Sequence, residues 1–529
     1  MTRQSQIDGV ILFLLQIACL FAVGRDANLA GFPLDDAWIH QIIARNFAEH
    51  GELGFAAGKF GSAATSLLWP ILLSAHYALA GESPALFSLA LNIFFYFGVG
   101  LIVWRLLVAA EVGRMEALIG AIAFVSAGNF VWLVFSGMEA MLLVFLVSLI
   151  IYVWEKGRSE QRFVLAAVLT IALLFTRIEA AFIAGLLVCY EISRAQTSAL
   201  ARVARYCGIV AIGVAGLFSL NMLLTGRILP PTLEGRRWMW LLSLDEASPI
   251  DIVVLFFLRW MNRLSEFTLG TETPEFFWAM LGVALFGALC LWRSKKTGLQ
   301  ILLLFGVGHL CAYALLLPAE GHGGRYQPLT PALFSLSLCF GVMVLARSLA
   351  SSKSKNLAVI RTVVAGVAVA VILTIMHTTW EWGDFHAKAV KHIDVSEVAM
   401  GRYVAALPRE ARVASFDIGG IGFFGRREIL DLGALSDPEV LHDLKAGTIF
   451  RRLKQQSVTH VIVPQAYNDK FSDPWNYLHI LRLDGYVFSG ELQLLHVTKS
   501  PQHVWAPGLR ATLHSAPRQV LYSVNAGPP

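Results

Sequence analysis

Long apolar runs separated by short polar segments fill the first 380 residues of the chain. An α-helix needs about 20 mostly apolar residues to cross the hydrocarbon core of a bilayer. The pattern therefore predicts a polytopic α-helical membrane protein with about eleven transmembrane helices, several of them shorter than this length. The predicted spans are 7–24, 84–107, 115–135, 138–154, 162–176, 177–192, 205–224, 275–292, 298–317, 329–347 and 357–379.

Three other stretches are predicted to lie in the membrane interface instead of crossing it. Residues 37–50 place their isoleucines on one helical face, as an amphipathic helix does. Residues 66–80 contain Pro70 and His76, and counting them as a span would invert every later loop. The loop 225–274 is too polar and too proline-rich to cross. Its aromatic residues indicate that the loop rests on the membrane surface: Trp238, Phe256, Phe257 and Trp260.

The basic residues of the predicted loops favour one topology. With the N-terminus inside, the inner loops hold 16 Lys and Arg against six Asp and Glu, whereas the outer loops hold ten against 16. Lysine and arginine are enriched in the cytoplasmic loops of membrane proteins. The odd number of spans then places residues 381–529 outside. The predicted location is the bacterial cytoplasmic membrane, with a cytoplasmic N-terminus.

Composition supports this division. Hydrophobic residues make up 56% of the chain, charged residues only 15%, and the mean hydropathy is +0.62, which excludes a soluble enzyme, a disordered chain and a coiled coil. Residues 1–380 contain 48 charged residues, whereas 381–529 contain 31 of 149, close to a soluble composition. We therefore predict a transmembrane domain (1–380) and an extracytoplasmic α/β domain (381–529). Its predicted strands are 412–416, 428–432, 460–464 and 486–498, with helix at 438–456.

The cysteine spacing and the net charge argue against a zinc site, a disulfide framework and a nucleic-acid partner. All six cysteines lie in apolar stretches without a CxxC spacing, so neither a zinc site nor a disulfide framework is expected. The net charge of +5 is scattered, and no basic run with interleaved aromatic residues indicates nucleic acid. We expect no cofactor and no metal, and membrane lipids as neighbours.

Polar residues of the membrane domain collect in the predicted outer loops. Ionisable groups close to a bilayer are costly, which makes them functional candidates. Candidates for substrate binding in these loops are His40, Lys59, Glu139, Glu179, His322 and Tyr326.

The adjacent pair Asp35 and Asp36 is the main catalytic candidate. One carboxylate can deprotonate a hydroxyl while the other orients a partner or shifts its pKa. The alternative is a helix start, since Asp is a favoured N-cap and a helix is predicted near Ala37. We prefer Asp35 as the base, because Asp36 is the better placed of the two to cap the helix.

Arginines in the same loops are candidates for holding a phosphate. Arg177, Arg236, Arg237 and Arg325 can each bind an anion with the fork of the guanidinium. For Arg177 the alternative is a local ion pair with Glu179 or a side chain that reaches the interface. Arg236 and Arg237 could instead meet lipid headgroups.

Several sequence blocks resemble one enzyme family. LDDAWIHQIIARNFAEHGELGF followed by SAATSLLWPILL resembles the first outer loop of bacterial GT-C membrane glycosyltransferases, which use polyprenyl-phosphate sugars. Within that family, the blocks resemble the group that includes the mycobacterial terminal arabinofuranosyltransferases. It continues in order to about Leu435 through SGMEAML, TRIEA, LLTGRILPPT, HGGRYQPLTP and DIGGIGFFGRREILDLGAL. The chain departs from the family pattern at Trp38, Ile178 and Pro231.

This resemblance implies a metal-independent, inverting transfer of a sugar outside the cytoplasmic membrane. The donor would be a polyprenyl-phosphate sugar, and the acceptor a hydroxyl of an envelope glycan, lipid or protein. Asp35 or Asp36 would be the base, and outer-loop arginines would hold the donor phosphate. The alternatives are a lipid-linked glycan transporter or flippase, an oligosaccharide ligase or polymerase with a diphosphate donor, and a glycan-binding receptor.

Overall fold

The fold is described from a computed structural model. It describes residues 3–56, 64–79, 83–156, 159–193, 199–228, 231–242, 248–271, 273–294, 297–350, 357–465, 477–499 and 518–525.

Helices dominate the chain up to Ile393. The first are α1 (Arg3–Gly24), α2 (Asp35–His50), α3 (Leu68–Ala78), α4 (Pro84–Ala109), α5 (Arg114–Ser126), α6 (Gly128–Phe135), α7 (Ala140–Lys156), α8 (Glu160–Thr176) and α9 (Phe182–Ser193). They are followed by α10 (Ala199–Thr225), α11 (Pro231–Leu242), α12 (Pro249–Arg263), α13 (Pro274–Arg293), α14 (Thr297–Leu316), α15 (Leu329–Ala350) and α16 (Leu357–Ile393).

Each of the eleven predicted spans coincides with helical structure. Among the described residues, six helices are long and apolar enough to cross a membrane, and seven if the pair α5 and α6, bent by 57°, is one span. The helices α7, α8 and α9, which coincide with three of the predicted spans, are only 17, 17 and 12 residues long. The chain is thus a multi-pass membrane protein, although length and apolarity alone do not give eleven spans.

The aromatic residues of the long loop are placed differently from the prediction. Phe256 and Trp260 are fully buried on the inner face of α12, where the Trp260 Nε1 donates to Gln327 Oε1 at 3.1 Å. These two side chains therefore face the protein interior, and a membrane-surface position of the loop stays a prediction. The opposite face of α12 exposes aliphatic side chains such as Ile250 and Leu258. Only one face of α12 packs against the protein core, and Phe256 and Trp260 lie on that face.

Ion pairs of the membrane domain respect the predicted division into two sides. Arg114 binds Asp8 at 2.6 Å and Arg202 binds Glu191 at 2.5 Å, and all four residues belong to predicted inner segments. The described ion pairs of the predicted outer segments likewise connect outer residues with one another. Polar groups therefore meet at two opposite ends of the helix bundle, as the charge pattern predicts.

The C-terminal region forms an α/β domain. Its sheet has the order β2-β1-β3-β5-β4, in which β1, β2 and β3 are parallel and β5 is antiparallel to β3 and β4. The strands are β1 (Val413–Ser415), β2 (Ile429–Asp431), β3 (His460–Gln465), β4 (Leu492–Val497) and β5 (Arg518–Val524). The helices are α17 (Ala399–Ala405), α18 (Gly419–Gly425), α19 (Pro438–Ala446), α20 (Ile449–Gln455), α21 (Tyr477–Ile480) and α22 (Asp484–Phe488).

Three elements of this domain differ from the prediction. Neither the helix α18 in the glycine-rich segment nor the strand β5 was predicted. The predicted strand 486–498 is a strand only in its second half. Helix α16 continues through residue 380 to Ile393, and the division of the chain at that residue stays a prediction.

The α/β domain packs directly against the first loop of the membrane domain. One buried apolar cluster contains Ile39 and Ile42 of α2 together with Val404 of α17 and Ile421 of α18. The Trp38 ring packs against two α18 rings, with centroids 4.7 Å from Phe423 and 4.8 Å from Phe424. The face of α2 that the sequence predicted to be apolar is thus buried against protein.

Candidate active site

The two adjacent carboxylates lie in the first turn of α2. The helix begins at Asp35, and Leu34 is its N-cap without a side-chain capping bond. The capping interpretation of Asp36 is therefore wrong. Consecutive helical residues diverge by about 100° around the axis, so the two carboxylates contact different partners.

Asp36 binds two of the predicted arginines. Its Oδ2 accepts from the Nη2 of Arg325 and from the Nη2 of Arg236, the latter at 3.1 Å. Burial by itself would raise the pKa of Asp36, but Arg325 and Arg236 outweigh it and hold that pKa well below its usual range. Its side chain is 22% exposed, so this ionised group can be reached from outside.

The ring of Tyr326 is the centre of an arginine cluster. The guanidinium carbons of Arg325, Arg177 and Arg236 lie 5.3, 5.4 and 5.7 Å from its centroid. Arg236 Nη1 also donates to the Tyr326 hydroxyl at 2.5 Å. Burial favours the neutral phenol, but Arg236 and Arg325 outweigh it, so the pKa of Tyr326 is lowered. The surroundings therefore favour negative charge.

Arg325 retains unused hydrogen-bonding capacity. Its residue is only 5% exposed, and its buried Nε and Nη1 find no partner in the part of the chain that the structure describes. Burying a charged donor without a partner costs free energy, which an anionic ligand would recover. Arg325 is thus the described residue best prepared for an anion.

Glycines shape the loop before Arg325. Gly323 and Gly324 have φ values of 65° and 77°, and a Cβ on Gly323 would lie 2.2 Å from the Trp132 ring. A side chain at either position would be strained, and at Gly323 it would also clash. These glycines therefore serve the turn and its packing against Trp132.

A second polar cluster lies around Glu139. Arg177 Nε binds Glu139 Oε1 at 2.7 Å, and its Nη1 lies 3.4 Å from Glu179 Oε1. His40 Nε2 is 3.4 Å from the other Glu139 oxygen, and Thr65 Oγ1 donates to Glu139 Oε1 at 2.9 Å. Arg177 is thus neutralised by two carboxylates, which fits the local ion-pair interpretation.

The electrostatics of this second cluster are those of a buried network. Glu139 is fully buried, and its charge is compensated by Arg177 and by the hydrogen bond from Thr65. Burial lowers the pKa of His40, which is 2% exposed and therefore neutral at pH 7. Tyr313 joins the network through hydrogen bonds with Arg177 at 3.1 Å and Glu179 at 2.5 Å.

The remaining candidates are placed less centrally. Arg237 is exposed on α11, whereas its neighbour Arg236 faces the cluster. His322 is exposed and lies close enough to Arg325 and Asp36 to interact electrostatically. Lys59 lies outside the described residues.

Thr65 and Tyr313 were missed by the sequence reasoning. Tyr313 belongs to the predicted span 298–317, where a tyrosine reads as an interface anchor. Nothing in the spacing of Thr65 distinguishes it from other loop threonines.

A partly apolar groove opens beside the second cluster. It lies between α8, α10 and the segment before α3. Its lining includes Thr65, Phe175, Ile178, Leu217 and Asn221. Thr65 thus connects the groove with Glu139.

Asp35 contacts the C-terminal domain instead of the arginines. Its Oδ2 accepts from the backbone N–H of Gly419 at 2.8 Å, and its Oδ1 from that of Gly420 at 2.6 Å. Burial, followed by the charge of Asp417, raises the pKa of Asp35 to about 8. Both oxygens of this carboxyl are therefore occupied within the protein.

Comparisons with protein families and curated sequences leave the function open. Residues 387–505 match a family described as a domain of unknown function, DUF8728. No curated protein matches the chain.

Solved structures resemble this chain over nearly its whole length. The oligosaccharyltransferase AglB from Archaeoglobus fulgidus, in complex with an inhibitory peptide and a dolichol-phosphate, is 12% identical with a TM-score of 0.55, covering 88% of this chain and 70% of that one. ArnT from Cupriavidus metallidurans bound to undecaprenyl phosphate is 12% identical with a TM-score of 0.51, covering 99% of both chains.

A third structure comes from the group that the sequence blocks resemble. The arabinofuranosyltransferase AftD from Mycobacteria is 14% identical with a TM-score of 0.55, and the match covers 99% of this chain but 40% of AftD. These likenesses agree with the helix bundle and the C-terminal domain described above. The chain therefore has the fold of the GT-C membrane glycosyltransferases, as its sequence blocks implied.

Proposed function

We propose that the protein is an inverting glycosyltransferase that moves a sugar from a polyprenyl phosphate to a hydroxyl of an envelope glycan, lipid or protein. One observation carries the proposal: the exposed edge of an ionised Asp36 lies beside two arginines, one of which has unused buried donors. A carboxylate next to fixed cations supplies both a base and stabilisation for a departing phosphate.

Arg325 and Arg236 are proposed to hold the donor phosphate. The free Nε and Nη1 of Arg325 can donate to phosphate oxygens, and Arg236 adds a second guanidinium 3.1 Å from Asp36. Arg177 is already paired with Glu139 and Glu179, so its proposed role is to hold the ring of Tyr326 and shape the site.

Asp36 is a better candidate for the base than Asp35, which the sequence favoured. Both oxygens of Asp35 accept backbone N–H groups, whereas Asp36 uses Oδ2 for the arginines and has no described contact at Oδ1. Oδ1 would take the acceptor proton as the acceptor oxygen bonds to the anomeric carbon. The bond from that carbon to the phosphate oxygen breaks in the same displacement, which inverts the anomeric centre.

The structural neighbours support a lipid-linked donor. ArnT and AglB have structures with undecaprenyl phosphate and dolichol-phosphate respectively, and AftD is an arabinofuranosyltransferase. The proposal extends this donor chemistry to the present chain, with the lipid phosphate as substrate and no cofactor. Whether a hexose or a pentose is transferred is left open.

The location belongs to the same proposal. The charge pattern supports a bacterial cytoplasmic membrane protein whose active site and C-terminal domain lie on the outer side. No nucleotide supply exists there, so an activated sugar must arrive on a lipid. The clusters around Asp36 and Glu139 both lie at the predicted outer end of the bundle. This argues against a transporter or flippase, whose pathway needs polar groups through the membrane centre.

The test compares purified Asp36→Asn, Asp35→Asn and Asp26→Asn with the parent protein, using matched donor and acceptor. Asn keeps the shape but cannot take the proton, so Asp36→Asn should lose roughly 10²–10⁴-fold in kcat. Asp35→Asn should lose less, and Asp26, which is 65% exposed, serves as the matched control. Near-parental turnover in both Asp35→Asn and Asp36→Asn would refute the enzyme proposal.

A further inference from the structure

The strongest unexplained feature is a buried junction between the first loop and the C-terminal domain. Asp35 bonds to the first two residues of α18, and a Cβ on Gly419 would come within 2.0 Å of the Asp35 carbonyl oxygen. A Cβ on Gly420 would lie 3.1 Å from the Glu397 side chain. Glycines at these positions therefore let the two parts of the chain touch backbone to backbone.

Two more carboxyl groups meet Asp35 at this junction. Glu397 comes from the π-helical turn Asp394–Val398 after α16, and Asp417 precedes α18. Gln519 of β5 bridges them, because its Nε2 donates to Glu397 Oε1 at 3.2 Å and to Asp417 Oδ2 at 2.7 Å. Gln519 is fully buried and Glu397 is 3% exposed, so water screens this group of acids poorly.

Three carboxyl groups in such a place cannot all be ionised. Burial raises the pKa of each, and mutual repulsion adds to it, giving about 8 for Asp35 and Glu397 and about 7 for Asp417. The other titratable groups facing the junction are Asp36 on α2, His392, whose Nε2 lies 3.9 Å from Glu397, and Tyr477 on α21. The junction therefore retains protons at neutral pH.

The geometry connects this junction with the reaction centre. Asp35 and Asp36 are neighbours in one helical turn, so fixing Asp35 on α18 fixes the direction of Asp36 toward Arg325 and Arg236. The Trp38 ring, which packs against Phe423 and Phe424, stabilises the same orientation one turn further along α2.

We propose that Asp35, Glu397, Asp417 and Gln519 form a proton-sharing clamp by which the C-terminal domain positions Asp36 for transfer. The clamp residues are positioning residues and do not touch the substrate; the inference rests on the proposed function of Asp36. It gives the C-terminal domain a role in the reaction and predicts that an alkaline limb of the pH profile arises from residues that do not contact the substrate.

The direction of the pH effect follows from the raised pKa values. The junction is stabilised while its carboxyl groups keep their protons, and this stabilisation declines as the pH rises from about 4, the ordinary pKa of a carboxyl, toward 8. Removing one carboxyl should extend the stable range to higher pH, and adding one should shorten it.

The experiment compares Glu397→Gln and Gln519→Glu in the full-length protein, with Gln493→Glu on the exposed edge of β4 as the matched control. The first readout is the alkaline limb of kcat, which should move up by about one pH unit in Glu397→Gln and down by a similar amount in Gln519→Glu. Donor KM should stay within about twofold, because no clamp residue contacts the phosphate.

A second readout does not depend on activity. Hydrogen exchange in the segment 417–425 should accelerate in Gln519→Glu above pH 7, while the segment 460–465 in β3 stays protected. If the parent enzyme shows no transfer, the proposed function fails while this measurement still decides the clamp. The clamp is refuted if both clamp variants keep the parental pH profile and exchange, or if Gln493→Glu shifts them equally. If Gln519→Glu does not fold, the upward shift in Glu397→Gln decides alone.

Discussion

At the scale of single residues, similar side chains have different roles because their partners differ. Arg177 and Arg325 are both almost fully buried, but Arg177 is neutralised by Glu139 and Glu179, whereas Arg325 shares one carboxylate with Arg236. A buried charge without full compensation is destabilising in the empty protein. A bound anion would therefore stabilise the guanidinium of Arg325 more than that of Arg177.

This difference predicts the effect of removing the Arg325 guanidinium. Arg325→Met should weaken binding of polyprenyl phosphate about 10- to 100-fold, since hydrogen bonds to charged groups contribute about 1.5–3 kcal/mol. The measurement is lipid-phosphate binding to purified protein by calorimetry. Arg227→Met is the matched control, because Arg227 is exposed and pairs only with Glu234 among the described ion pairs. Equal affinity in Arg325→Met and the parent would remove Arg325 from the donor site.

At the scale of elements, glycines set how closely helices approach. Helices α13 and α15 cross where a Cβ on Gly287 would lie 1.9 Å from the Ser337 carbonyl oxygen, and one on Gly341 would lie 2.3 Å from the Val283 oxygen. Small residues at such crossings allow backbone contact between membrane helices. Gly282, on the same helix, would place a Cβ in open space.

The two glycines of α13 therefore predict opposite outcomes for one substitution. Gly287→Ala should destabilise the protein by about 1–3 kcal/mol, the usual cost of overpacking. Gly282→Ala should be neutral or stabilise by up to about 1 kcal/mol through helix propensity. Thermal melting in detergent measures both. A lower melting temperature in Gly282→Ala than in Gly287→Ala would show that the crossing is not this close.

At the scale of the whole molecule, charge divides the bundle into two ends. The ion pairs of predicted inner residues and those around Asp36 lie at separate ends, and the C-terminal domain contacts the second. By the positive-inside rule, the end with the excess of Lys and Arg is predicted to face the cytoplasm, and the end around Asp36 the outside.

Cysteine labelling tests that orientation. A cysteine at Ser436 should react with an impermeant thiol reagent in intact cells, and one at Ser159 should react only after permeabilisation. The exposed Cys189, Cys207 and Cys311 must first be replaced by serine. Labelling of the Ser159 site alone in intact cells would reverse the proposed topology.

Most helices and three of the strands could be predicted from local sequence pattern alone. Apolar runs gave helices at every predicted span, and alternation gave β1, β2 and β3, because hydrophobic periodicity acts within one element. The ordered sequence blocks pointed to the GT-C fold, which the structural neighbours share. The motif around Asp35 and Asp36 and the arginine of HGGRYQ were also recognisable as candidates.

The different roles of Asp35, Asp36 and the arginines follow from long-range contacts of the folded chain. Asp35 bonds to a glycine 384 residues later in the chain, and Asp36, one residue on, meets Arg325. No local pattern encodes such contacts, because they depend on helix rotation and on which distant segments pack together. The same reason explains the burial of Trp260, the helix α18 in a glycine-rich segment, and the pairing of Arg177 with Glu139. The candidate residues could be recognised by their type and motif, whereas their contact partners depend on long-range packing.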